Sequence, residues 1–137
     1  MKKLLLAIVL LISAMTTSAQ TSKVVYHITT GIETAAAALN NVKNHLAADP
    51  GVKIVVVTNG PGVDFLLADS KDSKGREFSG IVSGLAGQNV EFRVCNNTLL
   101  SRNIDPANLL LETKIVPSGV AEAAKLQSKE GFAYLKP

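Results

Sequence analysis

The chain has one cysteine and no tryptophan among its 137 residues, and aromatic residues make up only 4%. A single cysteine excludes an intrachain disulfide and any dithiol chemistry within one molecule. The chain also lacks the Lys/Arg clusters and aromatic platforms that support nucleic-acid binding, so we expect no nucleic-acid partner. Any thiol chemistry must therefore pair Cys95 with an external group.

No apolar run reaches the roughly 20 residues that a membrane-spanning helix needs. The run at residues 4–12 follows Lys2 and Lys3 and precedes a small polar stretch that ends at Ala19. This order is typical of a secretory signal peptide, here with cleavage between Ala19 and Gln20. The residue directly after the cleavage point is Gln20 and not a cysteine, so we expect no lipid anchor there. The signal peptide predicts a periplasmic or secreted protein.

Removal of residues 1–19 from the 137 leaves 118, which suits a single domain at residues 20–137. The loss of Lys2 and Lys3 lowers the Lys and Arg count from fourteen to twelve, against eleven Asp and Glu. The mature chain then carries a net charge of +1 instead of +3. A charge this close to zero gives no electrostatic reason to expect a polyanionic partner.

Apolar, β-branched runs alternate with helix-like segments along the mature chain. The strand-like runs are residues 23–29, 52–58, 90–94, 112–116 and 132–137. The helix-like segments are residues 33–49, 78–88, 96–103 and 118–131, and residues 59–63 form a predicted tight turn. Strands without polar alternation are buried on both faces. The pattern therefore predicts an α/β fold, a three-layer α/β/α sandwich with a mainly parallel sheet of about five strands.

Cys95 comes at the carboxyl end of the third predicted strand, where ligands and chemistry collect in parallel sheets. The backbone N–H groups of Asn96, Asn97 and Thr98 open the next helix, and a helix N-terminus favours a thiolate over a thiol. Cys95 is thus a candidate nucleophile. The same position also suits a small buried side chain with only a packing role, or a thiol that pairs with another molecule. The sequence leaves these alternatives open.

Other candidate residues surround the same predicted sheet edge. Arg102 lies two turns beyond Cys95 and either holds an anionic or sulfur substrate or is a solvated surface charge. His27, near the end of the first strand, either assists the thiol as a base or is a hydrogen-bonded core residue. Asn59, Gly60 and Gly62 follow the second strand, where a turn lets a ligand approach the backbone.

Motifs for metals and cofactors are lacking. The turn at residues 59–63 has neither the glycine spacing nor the lysine of a phosphate-binding loop or a dinucleotide fingerprint. We expect no cofactor and no metal. The pattern leaves open whether the protein is an enzyme, and a non-catalytic binding module with a pocket at residues 59–63 and 96–98 is an alternative.

Several stretches together resemble the DsrE/DsrF-like family. They are VVYHIT, VKIVVVTNGPGVDFLL, VEFRVCNNTL and VPSGVAEAAKLQSKEGFAYLKP. The resemblance implies an α/β/α fold, assembly into homo- or hetero-oligomers, and a cysteine after the third strand that accepts sulfur as a persulfide. For this chain it implies that Cys95 carries sulfur between a donor and an acceptor, each a partner protein or a small thiol.

Overall fold

The computed structural model describes residues 21–137, so the predicted signal peptide lies outside the described residues. The strands are β1 (Lys23–Ile28), β2 (Lys53–Thr58), β3 (Glu91–Cys95), β4 (Thr113–Val116) and β5 (Ala133–Leu135). The α-helices are α1 (Ile32–Ala48), α2 (Phe78–Ala86), α3 (Asn96–Ser101) and α4 (Gly119–Glu130). Two 3₁₀ helices span Gly60–Leu66 and Pro106–Asn108.

The strands form one sheet in the order β4-β3-β2-β1-β5, and every neighbouring pair in it is parallel. The predicted α/β class is therefore confirmed. Most elements end within one or two residues of their predicted limits. Parallel order brings the carboxyl ends of β1, β2 and β3 to one edge, where the candidate residues lie.

The predicted tight turn at residues 59–63 is wrong, because the chain forms a 3₁₀ helix from Gly60 to Leu66. Pro61 lies in its first turn, where its fixed φ suits a helical start. Gly62 packs directly on β1, and a Cβ there would lie 2.1 Å from the carbonyl oxygen of Ile28. Glycine is thus required for this segment to continue helically against the strand.

One face of the sheet, here called the α1 face, carries the larger core. Helices α1 and α2, the 3₁₀ helix at Gly60–Leu66 and Leu99 of α3 contribute to it. Phe65 lies between Phe78 and Phe92, with ring centroids 5.7 and 6.5 Å away. This face supplies most of the buried apolar surface and hence most of the hydrophobic stabilisation.

The opposite face, here called the α4 face, is covered among the described helices by α4 alone. Its apolar core contains six residues: Val25, Val55, Val57, Ala123, Leu126 and Phe132. Because side chains alternate along a strand, His27, Arg93 and Cys95 point to this same face. The α4 face therefore combines a small apolar core with the side chains of His27, Arg93 and Cys95.

Candidate functional site

Cys95 is the last residue of β3 and the N-cap of α3. It pairs with Val116 of β4, and the N-terminus of α4 follows β4 after a short connection. The thiol therefore lies between the first turns of two helices. It is a free cysteine and only 5% exposed.

Groups in the first turns of both helices act on the pKa of the Cys95 thiol. Burial by itself raises the pKa of the Cys95 thiol. The backbone N–H of Gly119, the hydroxyl and N–H of Thr98, and the N–H of Asn97 donate to the sulfur and outweigh that effect. The pKa of Cys95 is consequently lower than that of an ordinary cysteine, which is the condition for a nucleophilic thiolate near neutral pH.

The approach of α4 to the thiol depends on Gly119. A Cβ at Gly119 would lie 3.1 Å from the Thr58 carbonyl oxygen and 3.2 Å from the Cβ atoms of both Asn59 and Cys95. The absence of a side chain allows the helix to start directly on the ends of β2 and β3. Ser118 caps this start by accepting the N–H of Ala121.

Thr98 connects the thiol to the segment after β2. Its Oγ1 accepts the N–H of Gly60 at 2.9 Å, and its hydroxyl is one of the groups that lower the pKa of Cys95. Thr98 is buried, so this chain of hydrogen bonds is shielded from water. Of the three N–H groups expected at the sulfur, those of Asn97 and Thr98 lie there, while Asn96 begins α3.

His27 is buried on the α4 face and both of its ring nitrogens are engaged. Nε2 lies 2.6 Å from Asn59 Oδ1, and Nδ1 lies 2.8 Å from the Tyr134 hydroxyl. Strand β2 separates β1 from β3, and His27 is level with Val57 and Arg93, so Cys95 lies two strands away and two residues further along. The structure links His27 to the neighbourhood of the thiol through Asn59, without a direct hydrogen bond to Cys95.

Arg102 follows α3, and the hydrogen bonds of its side chain go to the segment after β2. Its Nη1 donates to Asp64 Oδ1 at 2.6 Å and to the Gly60 carbonyl oxygen at 3.0 Å. With Asp64 it lines an open cleft of about 680 Å³ between the 3₁₀ helices. Arg102 and Cys95 thus belong to different surfaces, joined through the segment that begins at Gly60.

A half-buried charge cluster beside the thiol was not foreseen from the sequence. Arg93, two residues before Cys95 on the same face, donates to Glu122 of α4 and to Glu91 at 2.8 Å. Hydrogen bonds from Arg93 lower the pKa of Glu91. The Arg93–Glu122 contact fixes α4 on β3, three residues after Gly119. No local motif predicts the Arg93–Glu122 contact, because the two residues are 29 positions apart.

Gly119 and Tyr134 were also missed as site residues. A Ser-Gly pair after a predicted strand is the available signal for Gly119, since Ser is a favoured helix N-cap. In residues 21–137, no group of three His, Cys, Asp or Glu side chains is arranged to hold a metal. No helix in that range has the length and hydropathy to cross a bilayer.

The fold and this site define an α/β protein with an all-parallel sheet and, at its carboxyl edge, a buried cysteine of lowered pKa. A family model described as the DsrE/DsrF-like family matches residues 12–137. The chain belongs to the DsrE/DsrF-like family. No curated protein matches it in sequence.

Two solved structures are similar to the chain. The protein of unknown function MTH1491 from Methanobacterium thermoautotrophicum is 38% identical with a TM-score of 0.76, over 85% of this chain and 99% of that one. The ychN protein from E. coli is 17% identical with a TM-score of 0.70, over 85% of this chain and all of the other. The second likeness supports the fold alone.

Proposed function

We propose that the protein is a sulfur carrier whose Cys95 accepts a sulfur atom as a persulfide and passes it to a second thiol. The observation that carries this proposal is the position of Cys95 at the N-cap of α3 and against Gly119 of α4, where groups of both helices lower the pKa of the thiol despite its burial. A purely packing role does not require a lowered pKa at the thiol. Membership of the DsrE/DsrF-like family supports the same function.

The transfer needs no external oxidant or reductant. The Cys95 thiolate attacks the outer sulfur of a donor persulfide, the donor S–S bond breaks, and the donor leaves as a thiolate. A new S–S bond joins Cys95 to the transferred sulfur. An acceptor thiolate then attacks that outer sulfur and Cys95 leaves as a thiolate. Its lowered pKa makes Cys95 a good leaving group in this second step.

The single cysteine suits a carrier better than a dithiol oxidoreductase. A resolving cysteine in the same chain would displace the persulfide sulfur and close a disulfide. This chain has one cysteine, so the loaded state persists until an external thiol arrives. Donor and acceptor are each a partner protein or a small thiol.

Mass spectrometry of the folded protein after exposure to a small-molecule persulfide tests the proposal. We expect Cys95 to gain one sulfur atom and to lose it on addition of a thiol acceptor. The Cys95→Ala variant gains none. A thiol that resists both persulfide and alkylating reagents until the protein is unfolded would refute the proposal.

A binding function is the second candidate, favoured by the open cleft at Arg102 and Asp64. In that case Cys95 has only a packing role and the cleft holds a small polar ligand. The Cys95→Ser variant separates the two functions. A binder retains its ligand in this variant, whereas a sulfur carrier loses all transfer.

Export and self-association complete the proposal. Cleavage after Ala19 would deliver the carrier to the periplasm or the medium, and the intact mass of the protein purified from that compartment tests this cleavage.

A homo-oligomer is supported by the exposed apolar side chains of Leu100, Leu111 and Val120. Light scattering at micromolar concentration tests the assembly, and a monomer mass would contradict it.

A further inference from the structure

The Asn59 side chain lies beside Cys95 with its amide nitrogen unused. Asn59 Oδ1 accepts a hydrogen bond from His27 Nε2 at 2.6 Å. Within residues 21–137, the amide nitrogen of Asn59 makes no hydrogen bond. The Cβ atoms of Asn59 and Cys95 both lie 3.2 Å from the point where a Gly119 Cβ would be, so the two side chains leave the backbone side by side.

The amide oxygen of Asn59 faces His27. An amide oxygen only accepts, so His27 Nε2 carries the hydrogen of the bond to Asn59. In the neutral ring Nδ1 then accepts the hydroxyl hydrogen of Tyr134, 2.8 Å away. The Tyr134 ring also packs edge-on against the imidazole, with centroids 5.7 Å apart. With the amide oxygen of Asn59 turned towards His27, its NH₂ group lies on the side away from His27.

We infer that Asn59 donates a hydrogen bond to the outer sulfur of the Cys95 persulfide, and that His27 and Tyr134 position it. The inference rests on the proposed sulfur-carrier function. Gly119, Thr98 and Asn97 surround the inner sulfur and lower the pKa of the thiol, and Asn59 is not among the groups that do so. A persulfide adds a second sulfur about 2.05 Å beyond Sγ.

Asn59 then acts in the transfer step but not on the unloaded thiol. A hydrogen bond to the outer sulfur orients it for attack and withdraws electron density from it, which makes it a better electrophile. Alkylation of unloaded Cys95 involves only the inner sulfur. The two reactions therefore separate a role at the outer sulfur from a general structural role.

Cyanolysis of the loaded protein provides the test. Cyanide attacks the outer sulfur, the S–S bond breaks, thiocyanate leaves and the Cys95 thiolate remains. For Asn59→Ala we expect this rate to fall about tenfold, as for loss of one hydrogen bond to a charged group. Alkylation of unloaded Cys95 by iodoacetamide should change less than twofold.

Substitutions of His27 test the positioning role. His27→Leu should lower the cyanolysis rate like Asn59→Ala, whereas His27→Gln, whose amide can donate to Asn59, should restore most of it. If His27→Leu fails to fold, the Tyr134→Phe variant is used in its place. We expect it to lower the cyanolysis rate by a smaller factor.

The outcomes separate this inference from the proposed function. A wild-type protein that takes up no sulfur overturns both. A wild-type protein that loads and transfers sulfur no faster than Asn59→Ala overturns the role of Asn59 alone. An equal fall in alkylation and cyanolysis indicates a structural role and also overturns it.

Discussion

The two faces of the sheet differ in how they use the same strands. On the α1 face, side chains from α1, α2 and the 3₁₀ helix at Gly60–Leu66 form a large apolar core. On the α4 face one helix covers a six-residue core, and the remaining inward positions carry His27, Arg93 and Cys95. The α1 face stabilises the fold, and the thinner α4 face leaves room for a thiol with polar neighbours.

The comparison shows why a buried cysteine can be activated here. A buried thiol in an apolar environment has a raised pKa. The α4 face has few apolar neighbours at the end of β3, and the first turn of α4 reaches the sulfur instead. Hydrogen-bond donors thus replace water around Cys95, and the substitutions below test how each face contributes.

The largest difference in the free energy of unfolding is expected between alanine substitutions of Val56 and Val57. These adjacent residues of β2 are both fully buried, and they point to the α1 face and the α4 face, respectively. Val56→Ala should lower the free energy of unfolding by about 3 kcal/mol, because the larger core cannot collapse into the cavity. Val57→Ala should cost about 1–2 kcal/mol, since a single helix can settle on the smaller residue. Urea denaturation measures both, and equal losses would contradict the comparison.

The ion pair that holds α4 on β3 should have the next largest effect. Glu122→Gln leaves Arg93 half-buried without one partner, and we expect a loss of about 1–2 kcal/mol in the free energy of unfolding. The same change should raise the pKa of Cys95, because α4 is less firmly held at the sulfur. Lys125→Met is the control, since Lys125 contacts Glu122 from an exposed position and should matter by less than about 0.5 kcal/mol. A loss as small as that of the control would contradict a clamping role.

Glu91 makes this cluster sensitive to acid. Hydrogen bonds from Arg93 lower the pKa of Glu91 in the folded protein. Its stabilising contribution is therefore complete above the unfolded value, about 4.3, and is lost as the pH falls through the lower folded value. Glu91→Gln should reduce the loss of stability between neutral and acidic pH. Urea denaturation at several pH values measures it, and an unchanged pH dependence would count against this reading.

Gly119→Ala should separate the thiol chemistry from the fold. The added Cβ meets Thr58, Asn59 and Cys95 at 3.1–3.2 Å, so α4 must move away and its N–H donor weakens. The pKa of Cys95 should rise, and iodoacetamide alkylation at pH 7 should slow about tenfold, in proportion to the thiolate. Gly84→Ala in α2, whose Cβ would meet nothing within 4 Å, should leave alkylation unchanged. An unchanged rate in Gly119→Ala would mean that α4 does not activate the thiol.

The smallest effect is expected at Thr98. Thr98→Val keeps the shape of the side chain but removes the hydroxyl that bridges Gly60 and Cys95. We expect the rate of alkylation at pH 7 to fall about threefold. This change corresponds to less free energy than a typical neutral hydrogen bond contributes. Thr98→Ser retains the hydroxyl and should react nearly like the wild type. Equal rates in Thr98→Val and Thr98→Ser would exclude a role for the hydroxyl.

The strand-end position of Cys95 could be predicted from sequence, because buried strands and helix starts have local signals. The apolar run before Cys95 and the polar residues after it indicate a strand and a helix N-terminus. The all-parallel order then follows from the alternation of strands and helices. The family resemblance points to the same cysteine, and the family itself is established by the match over residues 12–137.

The second helix at the thiol could not be predicted in the same way. Gly119 and Cys95 are brought together by the pairing of β3 with β4, which no local pattern specifies. The contact between His27 and Tyr134 depends likewise on β5 returning beside β1 across 107 positions. Arg102 lies within the predicted helix at residues 96–103, but α3 ends at Ser101. The side chain of Arg102 forms an ion pair with Asp64. Long-range pairing, rather than local propensity, determines these contacts.

The pH dependence of Cys95 alkylation tests the central claim most directly. The rate of reaction with iodoacetamide is measured across pH in the native protein and in the same protein unfolded in urea. If α3 and α4 hold a thiolate, the native midpoint lies below the unfolded one, which is about 8.5. A native midpoint at or above the unfolded value, or a thiol that reacts only after unfolding, would contradict the account.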